Sequence, residues 1–221
     1  MIFFDKIGKV YPNNKESLTN VSIKIEDGEM MFITGHSGAG KSTFLKLIAR
    51  LEMATSGSIY INNQDISKIK RRELPFYRRK IGYIYQNHLL LPYKTVFENV
   101  ALPLKIQGAN STDIYKRVRA ALTKLGLFGY RDILPTNLSE GEQQRVGIAR
   151  AVVHRPSFLL ADEPTGNLDT KLSIETMKLF KQFNQIGVTV LISTHDEALI
   201  NKFNVRNIEL EQGRIIRDSH A

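Results

Sequence analysis

The sequence predicts an α/β protein: a parallel sheet carrying a phosphate-binding loop, an antiparallel β subdomain and an inserted α-helical subdomain. Three observations support this prediction. The apolar run Met30–Ile33 leads into the glycine-rich segment GHSGAGKS, residues 35–42. Beyond residue 139, helix-like and strand-like stretches alternate, which is typical of parallel βαβ units. Between them, residues 95–125 follow a helical pattern.

The amino-terminal part has the alternation of antiparallel strands. One strand is predicted from Ile2 to Tyr11, and a second includes Val21, Ile23 and Ile25, which alternate with polar residues. Asp27-Gly28 is a tight-turn signal before the buried strand that precedes the glycine-rich loop. Residues 57–63 predict a further hairpin.

The remaining elements divide the chain into a core and an insertion. A strand is predicted at Lys80–Tyr85, and the helical stretch 95–125 has a predicted cap at Ser111 and a stop at Gly126. Later elements are a helix from Ser139 to His154, a strand at Phe158–Ala161, a helix at Lys171–Gln185 and a strand at Val188–Ile192. We therefore expect a single domain, 1–221, with residues 1–86 and 156–221 forming the core with the β subdomain. The helical subdomain takes up about residues 87–155.

Composition limits the possible classes of protein. A chain of 221 residues with 42% hydrophobic residues can bury one substantial core. The absence of Cys excludes disulfides and thiolate metal sites. No apolar run reaches the ~18–20 residues that span a bilayer, so any membrane role is expected to be peripheral. The net charge of +9 favours nucleotides, nucleic acid or lipid headgroups as partners, or is simply a solvated basic surface.

The segment from residue 35 to residue 42 fits the phosphate-binding pattern G-x-x-x-x-G-K-[ST] at every fixed position. Its glycines allow successive backbone N–H groups to point at one anion. Lys41 would supply positive charge beside the β- and γ-phosphates, and Ser42 a hydroxyl ligand for Mg²⁺. The chain is therefore predicted to bind a nucleoside triphosphate through nine consecutive residues: Gly35, His36, Ser37, Gly38, Ala39, Gly40, Lys41, Ser42 and Thr43.

Two adjacent carboxylates follow the apolar strand at Phe158–Ala161. Asp162, at the carboxyl end of a core strand, is placed to hold Mg²⁺ beside the phosphates. Glu163 lies one residue further on and suits orientation or deprotonation of an attacking water. Alone, the pair would fit a solvated turn equally well. The phosphate-binding loop makes the catalytic interpretation the stronger one.

A second anion site is predicted where Leu138-Ser139-Glu140-Gly141-Glu142 begins a helix. Ser139 and Glu142 have the spacing of a capping box, and the open N–H groups of a helix start attract anions. One triphosphate does not need two such sites from one chain. Two copies packed head to tail would each supply this site to the nucleotide held by the other.

These motifs, in this order and approximate spacing, resemble the ATP-binding-cassette (ABC) ATPases, a family with the P-loop NTPase core, and the resemblance spans essentially the whole chain. It implies ATP as substrate, Mg²⁺ as cofactor and an ATP-dependent homodimer. It also implies roles that the residues alone leave open: Tyr11 stacks on adenine, Gln86 senses Mg²⁺ and the γ-phosphate, and His195 contacts the γ-phosphate. Ser139 and Gly141 would contact the partner's ATP, and residues 166–169 would touch the opposite subunit. The implied metal ligands are Ser42, Gln86 and Asp162, and the implied catalytic residues are Glu163, His195 and Lys41.

One position departs from the family pattern. The serine of the signature is usually followed by two glycines, whereas here Glu140 precedes Gly141. A carboxylate near a γ-phosphate is repelled unless its side chain turns away, while at a helix start it contributes ~0.3–1 kcal/mol. We expect Glu140 to point outward and Gly141 to keep the backbone contact.

Longer phrases narrow the resemblance to family members that act with an integral membrane partner in bacterial cell division and regulate cell-wall hydrolysis. These phrases are TGHSGAGKSTFLKLI, EQQRVGIARAVV and FNQIGVTVLISTHD. The phrase LLADEPTGNLD fits as well, but the transporter relatives share its ADEPTGNLD form, so it does not discriminate. Such a protein would lie at the cytoplasmic face of the inner membrane. Two alternatives stay open: the ATPase of a lipoprotein or small-molecule transporter, and a soluble ABC ATPase acting on nucleic acid, which only the basic charge supports.

Two surface features could face such a partner or the bilayer. Leu89, Leu90 and Leu91 form either an exposed partner-binding patch or part of the helical core. The basic run between Lys68 and Lys80 either faces anionic lipid or is a solvated helix face.

Overall fold

The computed structural model describes residues 1–166 and 168–219. Its strands are β1 (Ile2–Val10), β2 (Glu16–Ile25), β3 (Met30–Thr34), β4 (Ser56–Ile61), β5 (Gln64–Asp65), β6 (Ile81–Ile84), β7 (Phe158–Asp162), β8 (Thr189–Ser193), β9 (Arg206–Glu211) and β10 (Arg214–Asp218). Its α-helices are α1 (Lys41–Ile48), α2 (Leu74–Arg78), α3 (Val96–Ile106), α4 (Ser111–Lys124), α5 (Glu140–Val152), α6 (Thr170–Gln185) and α7 (Glu197–Phe203). Short 3₁₀ turns cover Ile66–Lys68, Phe128–Tyr130 and Pro135–Asn137. Within the described ranges, no helix is both long and apolar enough to cross a membrane.

Two sheets form the framework. The larger has the order β10-β9-β3-β8-β7-β6, in which β9, β3, β8, β7 and β6 are parallel and β10 is antiparallel. The smaller is antiparallel with the order β2-β1-β4-β5. Strands β3, β7 and β8 are buried at every residue, as expected for apolar strands covered on both faces. The predicted parallel sheet and antiparallel β layer are both present.

Three apolar clusters hold these layers together. One lies between the antiparallel sheet, α1 and the main sheet, and a second covers the opposite face of the main sheet with α5, α6 and α7. The third lies among α3, α4 and α5. Helix α5 contributes to both of the last two clusters, through Ile148 on one side and Val146 on the other. The separate third cluster supports our proposal of a helical subdomain between residues 87 and 155.

The predicted helical stretch 95–125 differs from the structure in two respects. The stretch forms two helices, because Gly108 has a left-handed backbone (φ 76°) that ends the helical conformation after α3. The cap of α4 is Asn110, whose side chain accepts a hydrogen bond from the Asp113 backbone, and not Ser111 as predicted. Helices α2 and α7 and the β9–β10 hairpin were not predicted from the sequence.

Asn99 organises the loop before α3 and is fully buried. Its Oδ1 accepts from the Leu91 N–H at 2.8 Å. Its Nδ2 donates to the carbonyl oxygens of Leu91, Lys94 and Thr95 at 3.1, 2.9 and 3.0 Å. We predict that Asn99→Ala lowers the free energy of unfolding by about 2–4 kcal/mol, because it leaves buried backbone groups without partners. Urea unfolding measures this change.

Asn110→Ala is the matched control, since it removes an exposed helix cap and is expected to cost about 1 kcal/mol. Equal losses in the two variants would contradict the role assigned to Asn99.

Candidate nucleotide-binding site

The phosphate-binding loop joins β3 to α1 at the carboxyl edge of the main sheet. Two of its glycines are required by close backbone approach and by positive φ. A Cβ on Gly35 (φ 135°) would lie 2.1 Å from the Leu210 carbonyl oxygen, and one on Gly40 (φ 109°) 2.4 Å from that of Ser17. The Lys41 ammonium donates to the carbonyl oxygens of Gly35 at 2.7 Å and His36 at 3.2 Å. The loop is thus closed around its own lysine.

Asp162 is held at the end of β7 by two hydroxyl groups. Ser42 Oγ donates to its Oδ1 at 2.8 Å, and Ser193 Oγ donates to the same oxygen at 2.7 Å. Burial and the nearby negative charge of Asp162 raise the pKa of Tyr83 on the adjacent strand. Asp162 and Ser42, brought together across the strand ends, are the hard oxygen donors that Mg²⁺ prefers.

Among residues 1–166 and 168–219, no group of three or more His, Asp or Glu side chains could hold a metal ion by itself. A carboxylate and a hydroxyl beside a phosphate-binding loop instead fit Mg²⁺ that also takes phosphate oxygens as ligands. The donor set therefore fits a metal that is bound together with a triphosphate.

Glu163 lies at the centre of a charged cluster. It has a left-handed backbone (φ 49°), and its N–H donates to Ser193 Oγ at 2.9 Å. Its Oε1 lies 3.4 Å from Lys41 Nζ, and its Oε2 lies 2.9 Å from His195 Nδ1. The carboxylate is mostly buried whereas the imidazole is mostly exposed. A strained backbone thus points the Glu163 carboxylate at the lysine of the phosphate-binding loop.

Tyr11, Gln86 and His195 line the same cleft as the phosphate-binding loop and Glu163. The Tyr11 hydroxyl lies 3.2 Å from Thr43 Oγ1, which also accepts from Ser17 Oγ at 2.7 Å. Gln86 is exposed at the end of β6. The structure therefore brings together the predicted residues from both ends of the chain.

The sequence did not predict that Arg150 holds the loop that follows Gln86. His88 and Leu89 both have left-handed backbones, with φ of 55° and 46°. The Arg150 guanidinium of α5 donates to their carbonyl oxygens at 2.5 and 2.7 Å. Gln144 of the same helix donates to the Pro164 carbonyl at 2.7 Å. The only signal in the sequence is a single arginine within the apolar run GIARAVV.

The three leucines of this loop, Leu89 to Leu91, were predicted either to form an exposed partner-binding patch or to pack in the helical core, and the structure divides them between the two. Leu90 packs against the helical cluster, while Leu89 is exposed over 56% of its surface. The exposed apolar patch therefore does not include all three leucines.

Ser139 caps α5 as predicted. Its N–H and its hydroxyl donate to Glu142 Oε2 at 2.9 and 2.7 Å, which lowers the pKa of Glu142. Gly141 packs against α6, because a Cβ there would lie 2.4 Å from Leu172 Cδ2. Of the described residues, Ser139 and Gly141 are not among those that line the cleft of their own chain. Asn167, in the segment expected to touch a partner, lies outside the described residues.

A phosphate-binding loop after β3 and a carboxylate pair at the end of β7 lie at the carboxyl edge of one parallel sheet, with β8 between the two strands. Together with the helical insertion between them in the sequence, they define a P-loop nucleotide-binding protein. Comparison with known proteins narrows this class. Residues 18–166 match the family model described as ABC transporter. The chain is 52% identical over 215 residues to the cell division ATP-binding protein FtsE of Escherichia coli K12, covering 97% of each protein. This chain therefore belongs to the ABC transporter family and is an ATPase, as predicted.

Solved structures give the same fold. The dimeric structure of MJ0796, a bacterial ABC transporter cassette, has a TM-score of 0.92 and 37% identity, and the match covers 99% of this chain and 98% of that one. A dimeric post-hydrolysis state of MJ0796 bound to ADP and Pi matches with a TM-score of 0.92 and 36% identity over the same shares. The predicted fold class, an ABC ATPase core, is confirmed.

Proposed function

We propose that this chain is the ATP-hydrolysing subunit that drives an integral membrane partner resembling FtsX in bacterial cell division, and so regulates cell-wall hydrolysis. The observation that carries this proposal is the similarity to FtsE over nearly the whole of both chains. The protein would be peripheral, at the cytoplasmic face of the inner membrane, where its partner holds it.

ATP is the substrate, bound by the phosphate-binding loop with its adenine beside Tyr11. Ser42, Asp162 and Gln86 would hold Mg²⁺, which supplies positive charge to the transferring phosphoryl group. The hydrogen bond between Ser42 and Asp162 supports this assignment, because it places two of the three ligands side by side.

Glu163 is the residue we assign to the attacking water, which it orients and deprotonates. Its carboxylate lies 3.4 Å from Lys41 Nζ, the same ammonium that would bind the triphosphate. Lys41 then stabilises phosphate charge, while His195 stays beside Glu163 and contacts the γ-phosphate.

Each site is completed by a second copy of the chain, packed head to tail in the presence of ATP. Ser139 and Gly141 do not line the cleft of their own chain, so we assign their contact with the nucleotide to a second copy. The dimeric structures of MJ0796 support this arrangement. Hydrolysis is thereby controlled by association.

Pull-down of the tagged chain from detergent-solubilised membranes tests the proposed function. Recovery of an FtsX-like protein is the expected result. Recovery of a lipoprotein or small-molecule transporter would contradict the cell-division role, and ATP turnover stimulated by DNA would favour the nucleic-acid alternative.

The effect of the unusual signature residue can be measured directly. Glu140 is exposed at the start of α5. We predict that Glu140→Gly changes the ATP turnover of the dimer by no more than a few-fold, because the contact with ATP is made by Ser139 and Gly141. A hundredfold rise in steady-state turnover would show that the carboxylate repels the nucleotide.

A further inference from the structure

The positive charge of this chain is concentrated in one segment on the far side of α1 from the phosphate-binding loop. Residues 66–80 contain seven Lys or Arg residues and one acid, a net charge of +6, whereas the whole chain carries +9. We call these residues the basic segment. The nucleotide site does not use it, because none of its described residues lines the cleft.

The basic segment is attached rigidly to the carboxyl end of α1. Arg50 donates to the carbonyl oxygens of Ile66 at 2.8 Å and Ser67 at 3.4 Å. In the other direction, Arg78 donates to the carbonyl oxygens of Ala49 and Arg50 at 3.4 and 2.6 Å. The Arg78 contacts place positive charge at the negative end of α1, and the two sets of hydrogen bonds together hold the segment against that end.

The side chains of the basic segment are sorted by polarity, with one exception. Its aliphatic residues point inward: Ile66 and Ile69 are buried, and Leu74 packs against the first apolar cluster. Phe76 is the exception, since 61% of its surface is exposed. An exposed aromatic side chain amid cations is suited to a partner that offers both apolar and anionic groups.

Most of the cations of the basic segment have no local acid. Arg78 is used by α1, and Lys68 lies 3.5 Å from Asp65. Among the residues described, no carboxylate lies within ion-pair distance of the exposed side chains of Lys70, Arg71, Arg72 or Lys80. The single acid, Glu73, accepts a hydrogen bond from the Lys70 backbone at 3.1 Å.

We propose that the basic segment binds the surface of an anionic lipid bilayer, with its cations on the headgroups and Phe76 inserted among them. Clusters of Lys and Arg with an exposed aromatic are the combination that binds anionic membrane interfaces. Single-stranded nucleic acid fits less well, because it stacks successive bases on aromatic faces. This segment exposes one aromatic ring, and the Arg79 guanidinium lies 4.6 Å from its centroid.

The basic segment would bind lipid directly, in addition to any contact that the chain makes with a membrane partner. Helix α1 separates the basic segment from the phosphate-binding loop by its whole length of about 12 Å. ATP turnover can therefore be measured on each variant of the basic segment as an independent check that the variant is folded.

Flotation of the purified full chain with partner-free vesicles tests the proposal. We expect binding to phosphatidylcholine vesicles that contain about one third phosphatidylglycerol, weakening as salt is added, and little binding to pure phosphatidylcholine. The triple variant Lys70→Glu, Arg71→Glu, Arg72→Glu should bind at least about tenfold more weakly. Phe76→Ala should weaken binding about threefold without changing the charge.

The matched control is Lys116→Glu, Lys178→Glu, Lys181→Glu, which changes the net charge equally at exposed positions on α4 and α6. It should stay within about twofold of the wild type if location decides binding. Equal losses in both triples, no preference for phosphatidylglycerol, or displacement from vesicles by a DNA oligonucleotide would each overturn the proposal. Failure to recover a membrane protein in the pull-down leaves this result intact, because the vesicles contain none.

Discussion

Glu163→Gln should lower ATP turnover by about 100-fold or more while ATP binding is retained, because an amide cannot accept the proton of the attacking water. The amide keeps the size of the carboxylate and still accepts a hydrogen bond, so the cleft keeps its shape. With hydrolysis blocked, the ATP-bound dimer should accumulate. Single-turnover hydrolysis and size-exclusion chromatography with ATP measure the two effects.

Glu197→Gln is a suitable control, since Glu197 lines the same cleft but belongs to the start of α7. It should retain most of the turnover. A Glu163→Gln variant that hydrolyses ATP at nearly the wild-type rate would refute the assignment of this residue as the base.

Ser139→Arg should abolish steady-state turnover although this residue lies outside the cleft of its own chain. The long cation would prevent the start of α5 from approaching a nucleotide on a second copy. ATP binding to the isolated chain should be unchanged, because the phosphate-binding loop is untouched. Equilibrium binding of a fluorescent ATP analogue separates the two outcomes.

Mixing two inactive variants makes the test specific. Lys41→Ala removes the cation of the phosphate-binding loop, and Ser139→Arg blocks the other half of the site. Equimolar mixing gives mixed dimers in which one of the two sites is intact, so about a quarter of wild-type turnover should return if the sites act independently. If Ser139→Arg alone loses ATP binding, the residue acts within its own chain and the composite site is wrong.

The elements that the sequence predicted are those specified by local pattern. β3, β7 and β8 are short apolar runs at full burial, and the phosphate-binding loop is specified by the spacing of three glycines, a lysine and a serine. The capping box at Ser139 was likewise evident, because both of its members lie within one turn.

The features that were missed depend on contacts between distant parts of the chain. Arg150 binds carbonyl groups about sixty positions earlier, and no local pattern indicates that a helix arginine will hold two left-handed residues. Arg50 and Arg78 are similar, because their partners are also distant in the sequence: Arg50 binds the Ile66 carbonyl 16 positions later, and Arg78 binds the Arg50 carbonyl 28 positions earlier. The C-terminal hairpin was missed although Ile208 and Leu210 alternate with polar residues in β9. Its second strand, β10, has no fully buried residue, and its two isoleucines are adjacent in the sequence.

Helix α5 has a mechanical consequence for the nucleotide site. Its start carries Ser139 and its last turn carries Arg150, about 16 Å apart along one axis. Its side chains fill two different apolar clusters, and interiors packed at this density resist bending. A displacement of the loop after Gln86 is therefore transmitted through Arg150 to α5, which moves as a rigid body and carries Ser139 at its other end. A membrane protein that displaces this loop would therefore reorient the start of α5, the surface that meets the second subunit.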